Sequence, residues 1–178
     1  MVKAVWVQYK FVLPAGTRHS SYTYQKIFRA IYGYTQNVSK SSGKTYRYHR
    51  PGVLSTIPYN KPGKNAVLVP KSALPALADF FKTGKNPSHE WHVKGDWKAV
   101  YYTDEREVSA QDAAVAVETA ADRILSVFKR GAAELDSLDE ATKGVAHAEL
   151  TKLANDEWAK ECAQTPKIQH LLASLGKA

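Results

Sequence analysis

Hydrophobic and polar positions alternate from the first residues of the chain. Val5, Val7, Tyr9, Phe11 and Leu13 are interleaved with Gln8 and Lys10, a period of two that predicts a half-buried strand ended by Pro14. Further on the period lengthens. Tyr24, Ile27, Phe28 and Ile31 share one face of a predicted helix over residues 21–34, with Ser20 or Ser21 as cap and Gly33 at its C-terminal end. After a polar stretch at 39–43, residues 44–50 alternate again and predict a second strand. Pro51-Gly52 is a turn signal, so residues 53–57 are expected to return as the other arm of a hairpin.

Residues 61–64 (Lys-Pro-Gly-Lys) predict another turn, followed by a short apolar strand over 66–69. Residues 72–83 predict a second helix, with Pro75 tolerated in its first turn and Gly84 closing it. Residues 90–94 and 97–103 flank Gly95-Asp96 and are expected to pair as a hairpin. At Thr103 the character changes to alanine-rich and helical. Ser109 with Asp112 forms a capping-box-like start, and Val117, Ala121, Ile124 and Phe128 line one face up to Gly131. A second long helix is expected from Ser137, with Glu140 at its third position, to about Cys162. Thr165-Pro166 opens a last short helix through Leu175, stopped by Gly176. The fold class expected is therefore α+β: a part with short antiparallel strands, hairpins and two short helices over 1–103, then an all-helical part over 104–178.

Composition narrows the setting. With 178 residues, 44% hydrophobic and 24% charged, the chain is long enough for a core without a disulfide or metal staple. Its one cysteine, Cys162, excludes an intramolecular disulfide and a Cys-cluster zinc site, and points to a reducing compartment. No apolar run approaches the roughly 20 residues of a membrane span, and residues 1–14 lack the apolar core and cleavage site of a signal peptide. A cytoplasmic or nucleoid-associated protein is expected, with no membrane partner and no cofactor.

Charge changes the picture most. Residues 1–100 hold 16 Lys and Arg against three acids, a net of +13, while residues 101–178 hold nine against 14, a net of −5. Residues 1–78 carry 12 Lys and Arg and no Asp or Glu, where about eight or nine acids would be average. Such a surface attracts a polyanion, and each cation placed on a phosphate releases counterions. An acidic protein, the chain's own acidic half or an anionic membrane are the competing partners. The membrane fits poorly, because the cations do not lie on an amphipathic helix with a large apolar face.

Within this basic part, cations interleave with aromatics, and seven of the ten tyrosines fall in residues 22–64. Tyrosine offers a ring for base stacking and a hydroxyl for phosphate, and arginine a planar fork for phosphate oxygens. The contact set expected from this pattern is Arg18, Tyr24, Lys26, Arg29, Lys40, Lys44, Tyr46, Arg47, Tyr48, His49, Arg50, Lys61 and Lys64. On the predicted strand 44–50, Lys44, Tyr46, Tyr48 and Arg50 share one side and Thr45, Arg47 and His49 the other. Tyrosines more often line the edge of a core. The missing carboxylates tip the cluster towards a phosphate-binding face.

Other chemistry is weaker. Residues 39–44 (Ser-Lys-Ser-Ser-Gly-Lys) lack the first glycine of a Walker phosphate loop and precede a strand. In His89-Glu90-Trp91-His92 only Glu90 and His92 would share a strand face, which leaves a metal without a third ligand. His19 and His49, beside Arg18, Arg50 and Lys44, are the groups a metal-independent nuclease would use. Cys162, beside Trp158, reads as a structural thiol. The alanines at 113, 114, 116, 120 and 121 favour helix and permit close helix packing, so the acidic half is expected to serve packing or homo-oligomer assembly. The sequence therefore points to a non-enzymatic nucleic-acid-binding protein that contacts mainly the phosphate backbone of DNA or RNA. An architectural or coat-like role and a ribonucleoprotein component are both compatible. The runners-up are the metal-independent nuclease and a protein–protein adaptor with a basic docking face.

Overall fold

The computed structural model describes residues 1–18, 21–85, 97–128, 137–162 and 165–175. Its centre is β1 (Val2–Val12), the alternating N-terminal strand. Helix α1 (Tyr22–Tyr32) follows, and then a two-stranded antiparallel ribbon of β2 (Tyr34–Ser39) and β3 (Thr45–Arg50). Strands β4 (Asn60–Gly63) and β5 (Ala66–Val69) pair antiparallel around Lys64-Asn65, where Asn65 takes a positive φ of 58°. A 3₁₀ turn (Lys71–Ala73) leads into α2 (Leu74–Thr83), which has Pro75 in its first turn and Gly84 at its left-handed C-cap. Strand β6 (Lys98–Val108) and helices α3 (Ala110–Phe128), α4 (Glu140–Ala154), α5 (Glu157–Glu161) and α6 (Pro166–Leu175) complete the chain. An N-terminal region of mixed strands and short helices thus precedes a helical C-terminal region.

The main sheet has the order β4-β5-β1-β6 with antiparallel neighbours, and its two sides pack on different helices. Val5, Val7, Tyr9 and Phe11 of β1, with Val67 and Val69, face α1 and α2 through Ile27, Ile31, Leu77 and Phe80. Val2 and Ala4, with Leu68 and Val108, face the C-terminal helices through Val117, Ala121, Ile124, Leu150 and Trp158. Trp158 is fully buried and its indole N–H donates to the Lys3 carbonyl at 2.9 Å, tying α5 to the start of β1. Of the two uses expected for the line of Val117, Ala121 and Ile124, packing or assembly, these residues pack inside the chain. Association between copies would have to use other surface, such as the exposed Val115 and Val145.

Several expectations shift. The partner of residues 45–50 is the preceding strand β2, and residues 53–57 form turns rather than a return arm. The reason lies at the end of α1. Val53 N–H and Leu54 N–H donate to the Ala30 and Ile31 carbonyls, both at 2.8 Å, which uses residues 53–54 to satisfy the helix end. Ser39 ends β2, and residues 40–44 are the turn of the ribbon and the approach to β3. The turn expected at 61–64 falls at Lys64-Asn65, since Lys61 to Gly63 belong to β4. Strand β6 runs on through Thr103 to Val108, paired with β1 along its whole length, so the helical character begins at Ala110. The helix expected over 137–162 is interrupted. Asp139, not Ser137, caps α4 by accepting from Thr142 N–H at 2.8 Å, and Asp156 starts α5 by accepting from Trp158 N–H at 2.9 Å. The expected arm at 90–94 and the His89–His92 group lie outside the described residues.

Candidate functional site

Helix α1 starts where Ser21 Oγ accepts from Tyr24 N–H at 3.3 Å. Its apolar side buries Ile27, Ala30 and Ile31. The opposite side exposes Tyr22, Lys26 and Arg29, whose spacings of four and three place them on one stripe. Each cation on the stripe lies over a ring: Lys26 Nζ is 4.9 Å from the Tyr22 centroid, and the Arg29 guanidinium carbon is 4.7 Å from that of Tyr34. At exposed positions such contacts contribute about 0.5–1 kcal/mol each. Their main effect here is to hold two cations in place while leaving their charge in solvent.

Gly33, with φ 71°, ends the helix and turns the chain into the ribbon. Thr35, Gln36, Asn37, residues 39–45, Arg47 and Arg50 are exposed, while towards its root the ribbon is held against the body, with β3 beside α3, His49 buried and Tyr34 half-buried. Register places Tyr34 opposite Arg50 and Asn37 opposite Arg47. Arg50 Nε donates to Gln36 Oε1 at 3.3 Å, on the side of the ribbon that carries Tyr34. Arg47 falls on the other side with Thr45 and His49. Lys40 and Lys44 flank the turn, which closes through Lys40 N–H to the Lys44 carbonyl and Gly43 N–H to the Lys40 carbonyl, both at 2.9 Å.

The root of the ribbon is polar and buried. His49 is 8% exposed, and its Nε2 lies 2.9 Å from Ser55 Oγ, which also accepts from Gly52 N–H at 2.8 Å. From α3, Arg123 donates to the carbonyls of Ser55 at 3.1 Å and Ile57 at 3.0 Å, with its guanidinium over the Tyr59 ring. Burial, and then the Arg123 charge, hold the His49 pKa below the ordinary 6.5. Burial also pushes the Arg123 pKa below its ordinary value.

The expected contact residues separate accordingly. Arg29 lies over Tyr34, which stands opposite Arg50, with Lys26 one turn earlier on the same helix stripe, and Lys40 and Lys44 are exposed at the ribbon's turn. Arg47 lies on the reverse side of the ribbon. Lys61, on β4, covers the Tyr32 and Phe28 rings at 4.4 and 5.7 Å and flanks α1, while Lys64 is exposed at the β4–β5 turn. Arg18 is exposed just before α1. Tyr24 belongs to the core edge, its ring 4.9 Å from Phe28 and 6.2 Å from Phe11. Tyr46 and Tyr48 take register positions opposite Val38 and Gln36, and their side chains are outside the described set. His49 is part of the foundation and not of the exposed face.

The sequence pattern missed Arg123 and Ser55, which position the ribbon. Arg123 adjoins the apolar line of α3, a place where a charge needs a partner, and that was the available signal. A second basic area was also missed. Lys10, Lys98 and Tyr102 are exposed on β1 and β6, with Tyr102 donating to Gln8 Oε1 at 2.8 Å. Acids gather at the far edge of the sheet. Asp104, Glu105 and Glu107 lie on the outer strand β6, across the sheet from Lys61 on the opposite outer strand β4.

No protein-family model, curated protein or solved structure matches this chain. Among the described residues no group of three or more His, Cys, Asp and Glu is placed to hold a metal ion, and no helix is long and apolar enough to cross a membrane.

Proposed function

We propose that the protein binds nucleic acid without acting on it, holding the phosphate backbone with the cations of α1 and the β2–β3 ribbon. The observation that carries this reading is the exposure of Lys26, Arg29 and Arg50 around Tyr34, and of Lys40 and Lys44 at the ribbon's turn, in a stretch of chain with no carboxylate from residue 1 to 78. None of these five cations has an acid near it in sequence, which supports a surface of net positive charge. Phosphate contacts of this kind fix position and carry little sequence information, which suits an architectural or coat-like protein or a component of a nucleoprotein particle. His49 is buried against Ser55, which supports a structural part for it over the cleavage role of a nuclease.

The test is affinity for duplex DNA, single-stranded DNA and structured RNA across a salt series. With about six phosphates contacted, affinity falls by roughly 10³-fold or more between 50 and 200 mM salt. A salt-independent or absent affinity for all three removes this reading and leaves the basic face to a protein partner.

A further inference from the structure

We infer that the β2–β3 ribbon enters the major groove of a B-form DNA duplex while α1 lies along the flanking phosphates. This rests on the nucleic-acid reading above and narrows its ligand. Shape comes first. The two strands have six residues each, about 20 Å at about 3.3 Å per residue, and run about 4.8 Å apart. A two-stranded ribbon of that width, with its side chains, fits a groove about 12 Å wide and 8.5 Å deep. The corresponding groove of an A-form RNA duplex is too narrow for side chains to read.

Exposure and charge agree with this geometry. Towards its root the ribbon is covered, with β3 beside α3 and His49 buried, whereas beyond it Gln36 and Asn37, which point to opposite sides, are both exposed. Arg50 and Arg47 likewise take opposite sides, so each wall of a groove would meet a cation. The residue types also suit base edges. Arginine pairs with guanine O6 and N7, and Asn or Gln with adenine N6 and N7, all in the major groove. Arg47 stands directly opposite Asn37, and Arg50 already holds the Gln36 amide. The root is fixed by His49, Ser55 and Arg123, so the ribbon reaches a duplex with its direction set. Behind it Lys26 and Arg29 occupy the exposed stripe of the helix that leads into β2, in place for the phosphates beside the groove.

The experiment compares the intact protein on a DNA duplex of about 20 base pairs, the RNA duplex of the same sequence, and the DNA with guanine N7 methylated. The DNA duplex is expected to bind about ten-fold or more tightly than the RNA, and N7 methylation to weaken binding by about ten-fold. Asn37→Ala combined with Arg47→Ala should remove most of that discrimination, at exposed positions where melting stays near wild type. Lys26→Ala combined with Arg29→Ala should weaken both duplexes alike. Equal affinity for DNA and RNA, insensitive to N7 methylation yet still lowered by Lys26→Ala with Arg29→Ala, overturns the groove assignment and leaves nucleic-acid binding intact. Absence of binding to all three duplexes overturns the groove assignment, and overturns the nucleic-acid reading as well if single-stranded DNA and structured RNA also fail to bind.

Discussion

His49 on β3 and Ser55 in the following turn meet at 2.9 Å, Nε2 to Oγ, and through this contact the exposed ribbon is fastened to the body. The imidazole is held neutral there, because burial and the nearby Arg123 charge lower its pKa below 6.5. An unfolded chain has no such penalty and takes up the proton first as pH falls. Stability owed to this site is therefore complete above about pH 6.5 and declines as pH drops below it towards the lowered folded value. Melting temperatures of the wild type should be level between about pH 7 and 8 and fall between about 6.5 and 5. His49→Gln should be less stable at neutral pH and should lose part of that acid-side slope. An unchanged slope in the variant would mean that His49 does not set it.

Arg123 braces the same turn from α3. Its two bonds to the Ser55 and Ile57 carbonyls are charge-assisted, and its removal leaves both acceptors partly buried. Arg123→Met keeps much of the side-chain volume and deletes the donors, with an expected loss of about 2–4 kcal/mol in denaturant unfolding. Binding per folded molecule should stay near wild type, since Arg123 is not on the exposed face. A variant as stable as wild type would mean that water replaces the guanidinium without penalty.

Gly52 touches the end of α1 so closely that a Cβ would collide with the Gly33 amide and lie 2.7 Å from the Ala30 carbonyl oxygen. Both neighbours are backbone and neither can swing aside. Gly52→Ala should therefore break the seating of residues 53–54 on the helix and destabilise by about 3 kcal/mol or more. Gly63 on β4 has nothing within 4 Å of a Cβ, so Gly63→Ala is the control, expected within about 0.5 kcal/mol of wild type.

The glycines show how far the fold was legible. Gly33 and Gly84 end α1 and α2 where pattern reading puts them, whereas the reversal beside Gly43 reads in the sequence only as a polar stretch, with the turn expected at Pro51-Gly52 instead. Strand β1 and helices α1, α2 and α3 were readable because one side of each is buried, and burial imposes the period. Strand β2 was not readable for the converse reason. Thr35, Gln36 and Asn37 are exposed on both sides of the ribbon, so nothing selects an alternation. The far half of β6 was hidden similarly, since Asp104, Glu105 and Glu107 are poor strand formers that suit a charged outer edge. Of the candidate face, the cations and the missing acids were visible in the chain. Which cations share a surface, and that His49 turns inward, depended on a register set by the turn at 40–44 and on the distant Arg123.

The stripe on α1 separates binding from folding. Lys26 and Arg29 are exposed, and their ring contacts with Tyr22 and Tyr34 contribute only about 0.5–1 kcal/mol each. Lys26→Ala with Arg29→Ala should therefore move the melting temperature little. If each cation neutralises one phosphate, removing both lowers the slope of log affinity against log salt by about two, and weakens binding to unrelated sequences by similar factors. The loss should be largest at low salt and shrink as salt rises, because counterion release supplies most of the lost affinity. A salt titration of wild type and double variant on two unrelated duplexes measures this directly. Parallel titration lines, displaced but equal in slope, would mean that Lys26 and Arg29 act through the shape of α1 and not on phosphate. Equal affinity at every salt concentration would move the contact face off this helix altogether.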